Sequence, residues 1–175
     1  MKPVFAAAFG SLRPAVMADT DALVELLHDP DVRRYLCDDV LVPRSFVEEK
    51  LEASLALDAE GLGLWILDKP GAGMIGIAGL QPASWKAPHL ALPEPAIEIL
   101  IALFPAHWGR GIASSAVRTL IDYAASGCCL SRIVAAADAP NERSHRLLSR
   151  SGFRVLGTTP GPAHENLVYD LTLAE

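Results

Sequence analysis

An apolar segment that leads directly into a glycine turn constrains the fold of this chain more than any other feature. Residues 97–104 are apolar except for Glu98, and a proline follows them. Gly109 and Gly111 come next, and apolar residues then recur at three- and four-residue spacing over residues 113–121, which predicts an amphipathic helix. A strand, a glycine turn and a helix start in succession form an anion site, because the first amides of a helix have no internal partner.

The composition is that of one domain with a sizeable core. The chain has 175 residues, of which 51% are apolar and 21% are charged, and this length suits a single domain. No apolar run has the length needed to span a bilayer. The net charge of −6 gives no overall attraction to nucleic acid or to anionic lipid. We therefore expect neither a nucleic acid nor a membrane as a partner.

The cysteines and the N-terminus both indicate a cytoplasmic protein. The chain has three cysteines, Cys37, Cys128 and Cys129, and the last two are adjacent. An odd number with two neighbours is a poor disulfide framework, and no pair has the spacing of a zinc site. We expect reduced thiols and no metal. Residues 1–10 resemble a secretion signal only superficially, because their apolar part is very short and contains Pro3 near its start. We expect residues 1–10 to be a flexible leader and residues 11–175 to form the domain.

Local patterns predict the remaining elements. A strand at residues 11–17 precedes a helix capped at Asp19 or Thr20, and Asp29 followed by proline starts a second helical turn. Ser45 and Glu48 match a capping box. We expect helices over residues 46–57 and 141–151, strands over 64–67, 74–80, 132–136, 153–157 and 166–173, and a loop over 81–95. This order predicts a single domain of mixed α/β, or α+β, class.

Three segments match a known family in their order and separation. They are Leu12-Arg-Pro with Asp19-Thr-Asp, then Trp108-Gly-Arg-Gly-Ile-Ala113, then Asn141-Glu-Arg-Ser144 with Gly152-Phe153. Together they resemble the GCN5-related N-acetyltransferases (GNAT), within them the branch of ribosomal-protein-alanine and small-amine acetyltransferases. The resemblance covers residues 12–173. It implies a central, mostly antiparallel, splayed sheet flanked by helices.

The resemblance also implies an acetyl-CoA site around the glycine turn. In this family the loop binds the coenzyme diphosphate mainly through backbone amides, and the preceding strand holds the pantetheine arm. Trp108 stands here where the family has Gln or Arg, a change common in the branch, and Leu100 stands where many branch members have Gly. Arg110 either adds positive charge or is solvated. The implied contacts are Ile99, Leu100, Ile101, Trp108, Gly109, Arg110, Gly111, Ile112, Ala113, Ser114 and Asn141.

Acetyl transfer to an amine needs a group that removes a proton from the attacking nitrogen, and Glu98 is the leading candidate. A carboxylate within a strand of Ile and Leu is costly unless it has a role or a partner; the alternative is an outward-facing or ion-paired residue. Ser144 resembles the family position proposed as proton donor to the coenzyme thiolate, or it is a first-turn helix serine. Asn141 contacts the pantetheine arm, caps its helix, or does both.

The expected function is acetyl transfer from acetyl-CoA to a primary amine by direct attack. The acceptor is a protein N-terminus or a small amine, and Asp38 and Asp39 either attract it or are an ordinary exposed pair. A non-catalytic acetyl-CoA-binding sensor or interaction module is the alternative. A dinucleotide fingerprint is disfavoured because Ser114 replaces its third glycine, and a P-loop because the turn lacks lysine. Dimers are common in the family, so a homodimer stays open.

Overall fold

Alternating apolar residues build one sheet of eight strands with helices on both faces, which confirms the mixed α/β class. The computed structural model describes residues 2–173; Met1 of the expected leader and residues 174–175 of the expected domain lie outside them. The strands are β1 (Phe5–Ala7), β2 (Gly10–Pro14), β3 (Gly63–Lys69), β4 (Gly73–Pro82), β5 (Ile97–Leu103), β6 (Arg132–Asp138), β7 (Arg154–Pro160) and β8 (Glu165–Thr172). The α-helices are α1 (Thr20–His28), α2 (Pro30–Leu36), α3 (Arg44–Ala56), α4 (Ile112–Ser126) and α5 (Glu142–Arg150). Over the described range, every helix falls short of the length and apolar character that crossing a membrane requires.

The sheet is splayed in its middle, as predicted. Its strand order is β1-β2-β3-β4-β5-β6-β8-β7, and neighbouring strands are antiparallel except for β5 and β6. These two run parallel and share a single register pair, Glu98 with Val134. Beyond that pair they diverge, so the sheet opens toward the C-terminal ends of both strands.

Two hydrophobic clusters pack on opposite faces of the sheet. Residues of α4 and α5, such as Leu120 and Leu148, belong to the first cluster. Residues of α1 and α3, such as Leu26 and Leu51, belong to the second. Because side chains alternate along a strand, the odd-numbered positions of β5 join the first cluster and its even-numbered positions join the second. The side chain at position 98 therefore projects toward α1–α3.

The helix starts agree with the sequence at α2 and differ from it at α3. The Asp29 side chain accepts hydrogen bonds from the amides of Asp31 and Val32, so it caps α2 as predicted. The capping box predicted at Ser45 is wrong, because α3 begins at Arg44, two residues earlier than predicted, with Pro43 at its N-cap and no side-chain cap. The fixed φ of proline prepares this helix start instead. Glu48 accepts a hydrogen bond from Arg44 Nε at 2.8 Å.

The N-terminal segment is an edge strand of the sheet, which differs from the flexible leader that we expected. β1 pairs with β2 in antiparallel register. Phe5 packs edge-on against Tyr123 with ring centroids 5.2 Å apart, and Trp65 Nε1 donates to the Pro3 carbonyl at 2.9 Å. A three-residue strand is too short to show alternation in the sequence. Although β2 follows it directly, the aromatic residues that pack against it, Trp65 and Tyr123, lie far along the chain, so no local pattern predicts those contacts.

Candidate functional site

The divergence of β5 and β6 opens a cleft that extends to the glycine turn. Its walls are the C-terminal parts of both strands, the turn after β5, the N-terminus of α5, and residues of α1–α3. Ile99, Leu100 and Ile101 line it. The register between β4 and β5 continues without a shift. The strand therefore has no bulge relative to β4 at Leu100, the position where many branch members have glycine. Every second N–H of β5 faces away from β4 and toward the gap.

Six consecutive backbone amides, those of residues 109–114, donate to no acceptor within the described part of the chain. The first amide of this region that is bonded belongs to Ser115, which donates to the Gly111 carbonyl at 3.0 Å. Gly109 and Gly111 have φ angles of 70° and 75°, a conformation that glycine adopts without strain. The free amides stand at the positive end of a 15-residue helix, so they can bind an anion.

Trp108 positions this loop and differs from the other predicted diphosphate contacts. Its indole Nε1 donates to the Leu103 carbonyl at 2.8 Å, and its amide donates to the Pro105 carbonyl at 3.1 Å. The Arg143 guanidinium lies 4.2 Å from the ring centroid, a cation–π contact. Its amide is therefore already bonded, and Trp108 anchors the loop to β5 and α5, while its side chain lines the cleft. The predicted contact of Trp108 with the diphosphate stays a prediction.

Glu98 lies on the cleft wall at the one position where β5 and β6 still pair. Trp85 Nε1 donates to its Oε1 at 2.7 Å. Burial raises the pKa of Glu98 to about 7, although hydrogen bonds from Trp85 and from the backbone of Ala136 act to lower it. None of the ion pairs among residues 2–173 involves Glu98. Its carboxyl group can therefore exchange a proton near neutral pH.

Asn141 and Ser144 meet at the start of α5, on the far wall of the cleft. Asn141 Oδ1 accepts a hydrogen bond from the Ser144 amide at 3.2 Å, so Asn141 caps the helix. Its amide nitrogen is left for another contact. The Ser144 hydroxyl is partly buried and makes no hydrogen bond with any described residue, so it is available to a group in the cleft.

The sequence analysis missed a hydrogen-bonded pair beneath α5. Tyr169 is buried, and its hydroxyl lies 2.7 Å from His145 Nδ1. His145 Nε2 lies 3.0 Å from the Ala139 carbonyl. Because a carbonyl only accepts, Nε2 carries the proton of the neutral ring and Nδ1 accepts from the tyrosine. This pair ties α5 to β8 and orients the helix start that bears Ser144.

Two cleft residues were also missed, Trp85 and Asp138. Trp85 lies in an aperiodic loop, where nothing in the sequence indicates a contact with Glu98. Asp138 ends β6, is 6% exposed, and its Oδ2 has no hydrogen-bond partner among the described residues. Burial and the nearby Asp38 raise the pKa of Asp138, and His164 lowers it. A carboxylate at the end of an apolar strand is the signal that could have found it.

Comparison with known proteins gives consistent matches over most of the chain. The family model described as the acetyltransferase (GNAT) domain matches residues 11–154. The uncharacterized N-acetyltransferase p20 of Bacillus licheniformis is 29% identical over 151 residues, which are 84% of this chain and 80% of that protein. A GnaT-family acetyltransferase of Bordetella pertussis has a TM-score of 0.81 at 25% identity, covering 97% of this chain and 99% of the other. The protein yncA of Salmonella typhimurium, solved with its cofactor acetyl-CoA, has a TM-score of 0.71 at 23% identity and 94% coverage of both chains.

Proposed function

Since the chain belongs to the acetyltransferase (GNAT) family and is an acyltransferase, we propose that it transfers an acetyl group from acetyl-CoA to a primary amine by direct attack. One juxtaposition carries the proposal. The cleft that presents six free amides at residues 109–114 also contains Glu98, a carboxylate with a pKa of about 7. The first feature suits a coenzyme diphosphate, and the second suits the deprotonation of an amine.

The coenzyme would lie in the gap between the diverging strands. Its diphosphate would bind the amides of Gly109 to Ser114, with Arg110 adding charge at the same loop. The pantetheine amides would pair with the free backbone groups of Ile99, Leu100 and Ile101, and Asn141 would donate from its amide nitrogen. The structural likeness to yncA, which was solved with acetyl-CoA, supports this choice of donor.

The chemistry needs proton movements but no covalent enzyme intermediate. The acceptor ammonium passes a proton through a water molecule to Glu98, and its neutral nitrogen then attacks the thioester carbon. The C–N bond forms while N–H groups of β5 that face the gap stabilise the developing oxyanion. The acylated nitrogen releases its second proton to water, and the C–S bond breaks. Ser144 supplies a proton to the departing thiolate and regains one from solvent. The acetylated amine and free CoA then leave the cleft.

Thiol release from acetyl-CoA over a panel of primary amines tests the proposal. We expect saturable release with at least one amine between about pH 6 and 9, where Glu98 changes its charge. Calorimetry on the same protein separates the alternative from the enzyme. Binding of acetyl-CoA without turnover on any amine would favour a sensor or interaction module. Absence of binding to well-folded protein would overturn both.

A further inference from the structure

We propose that the acceptor carries a second cationic group, and that Asp138 together with Asp38 binds that group in the acetyl-transfer cleft. This inference rests on the proposed function and names the substrate class of the same site. The class is that of small, flexible amines in which a second ammonium group lies several methylenes from the reacting nitrogen.

The first observation is that Asp138 has an unused acceptor inside the cleft. The residue is 6% exposed, it lines the cleft, and its Oδ2 finds no hydrogen-bond partner among residues 2–173. Buried polar groups in folded proteins are nearly always hydrogen-bonded, since leaving one unpaired is costly. A cationic donor from a ligand would supply the missing partner.

The second observation is that Asp138 and Glu98 project from the same face of the sheet. Val134 is the register partner of Glu98, and side chains in register on neighbouring strands share a face. Because side chains alternate, Val134, Ala136 and Asp138 lie on that face together. Asp138 follows Val134 by four residues, a separation of ~13 Å along an extended strand. The cleft therefore presents a base at its narrow end and a second carboxylate toward its open end.

The third observation is that the surroundings of Asp138 favour a positive ligand. The Tyr35 hydroxyl donates to the Pro140 carbonyl at 3.5 Å, which brings the end of α2 beside the end of β6. Asp38 follows α2, lines the cleft and acts on Asp138 as a like charge. The exposed His164 acts in the opposite direction and lowers the pKa of Asp138. Two carboxylates attract an ammonium group and repel the phosphates of a coenzyme.

A matched pair of acceptors tests the inference. 1,8-Diaminooctane and 8-amino-1-octanol have the same length, but only the diamine has a second charge. We expect kcat/KM for the diamine to exceed that for the amino alcohol by about tenfold or more, as for a charge-assisted hydrogen bond. 1,2-Diaminoethane should show no such advantage, because its second nitrogen is too close to the first to reach Asp138.

Variants assign the effect to the carboxylate. Asp138→Asn should lower kcat/KM for the diamine by about tenfold and change that for the amino alcohol by less than about twofold. Asp122→Asn is the control, since Asp122 is an exposed residue of α4. A melting curve checks that Asp138→Asn folds. If it does not fold, Asp38→Asn should reduce the diamine advantage by several-fold.

The possible outcomes distinguish a failure of this inference from a failure of the proposed function on which it rests. Equal kcat/KM for the diamine and the amino alcohol, in a protein that acetylates the amine panel, would overturn the second-cation site and leave the proposed function standing. Equal losses on both substrates in Asp138→Asn would do the same. If none of the amines in the panel is acetylated, both the inference and the proposed function fail.

Discussion

Glu98 is the residue whose protonation should set the pH dependence of the reaction. Burial raises its pKa to about 7, and only its carboxylate form can accept a proton. We therefore predict that kcat/KM rises with pH through about 7 and levels off above it. A pH–rate profile at saturating acetyl-CoA measures this limb. A profile that is flat between about pH 6 and 8 would contradict the assignment of Glu98 as the base.

Replacing Glu98 with Gln should separate its catalytic effect from its effect on folding. We expect kcat to fall by about 100-fold or more, since the general base is lost. Folding raises the pKa of Glu98 above its ordinary value of 4.5. The stabilising contribution of this group is therefore present below about pH 4.5 and is lost as the pH rises through about 7. At pH 8, the free energy of unfolding of Glu98→Gln should therefore equal or exceed that of the unmodified protein. The increase should be on the order of 3 kcal/mol at most. Denaturant titrations at pH 5 and 8 test this, and lower stability at both values would contradict it.

At the scale of elements, the start of α4 depends on a left-handed backbone at Gly111. Its φ is 75° and a Cβ added there would meet nothing within 4 Å, so alanine would be strained by backbone conformation alone. We predict that Gly111→Ala lowers the free energy of unfolding by about 1 kcal/mol and raises the Kd of acetyl-CoA by about tenfold, because the amides at residues 109–114 rotate. Denaturant titration and calorimetry measure the two effects.

Gly71, in the turn between β3 and β4, provides a matched control for that change. Its φ is 78° and its surroundings are equally open, but it does not line the cleft. Gly71→Ala should therefore cost about the same stability and leave acetyl-CoA affinity unchanged. If the two variants weakened acetyl-CoA binding equally, the special role of the loop before α4 would be refuted.

The sequence predicts those elements whose signals are local. The strand, glycine turn and helix at residues 97–126 are visible because periodicity and turn residues lie in one continuous segment. Glu98 is visible because a charge interrupts an apolar strand. The hydrogen bond from Trp85 to Glu98 is not predictable, since it joins a strand to an aperiodic loop. The hydrogen bond from the Trp108 amide to the Pro105 carbonyl is not predictable for a related reason: a residue's place in a motif does not reveal whether its amide is already bonded.

At the scale of the molecule, the segment between β4 and β5 joins the two halves of the splayed sheet. Trp85 binds Glu98 in the first half. In the second half, Arg132 Nη1 donates to the Ala91 carbonyl at 2.8 Å, and Thr159 Oγ1 donates to the Lys86 carbonyl at 2.9 Å. Since β5 and β6 share one register pair, these contacts help to fix the width of the cleft and the position of the Trp85 donor.

Removing one of these contacts at a distance should therefore alter the titration of Glu98. Thr159 is buried, and we predict that Thr159→Val lowers the free energy of unfolding by about 1 kcal/mol because the Lys86 carbonyl loses its donor. The neighbouring Trp85 would hold Glu98 less firmly, and because that hydrogen bond lowers the pKa of Glu98, the rising limb of the pH–rate profile should move to higher pH. Thr158→Val is the control, since Thr158 is exposed. Its contact with His89 is made by the backbone carbonyl, so the substitution leaves that contact in place. Identical rising limbs for the two variants would show that Glu98 keeps its environment without the hydrogen bond from Thr159 to Lys86.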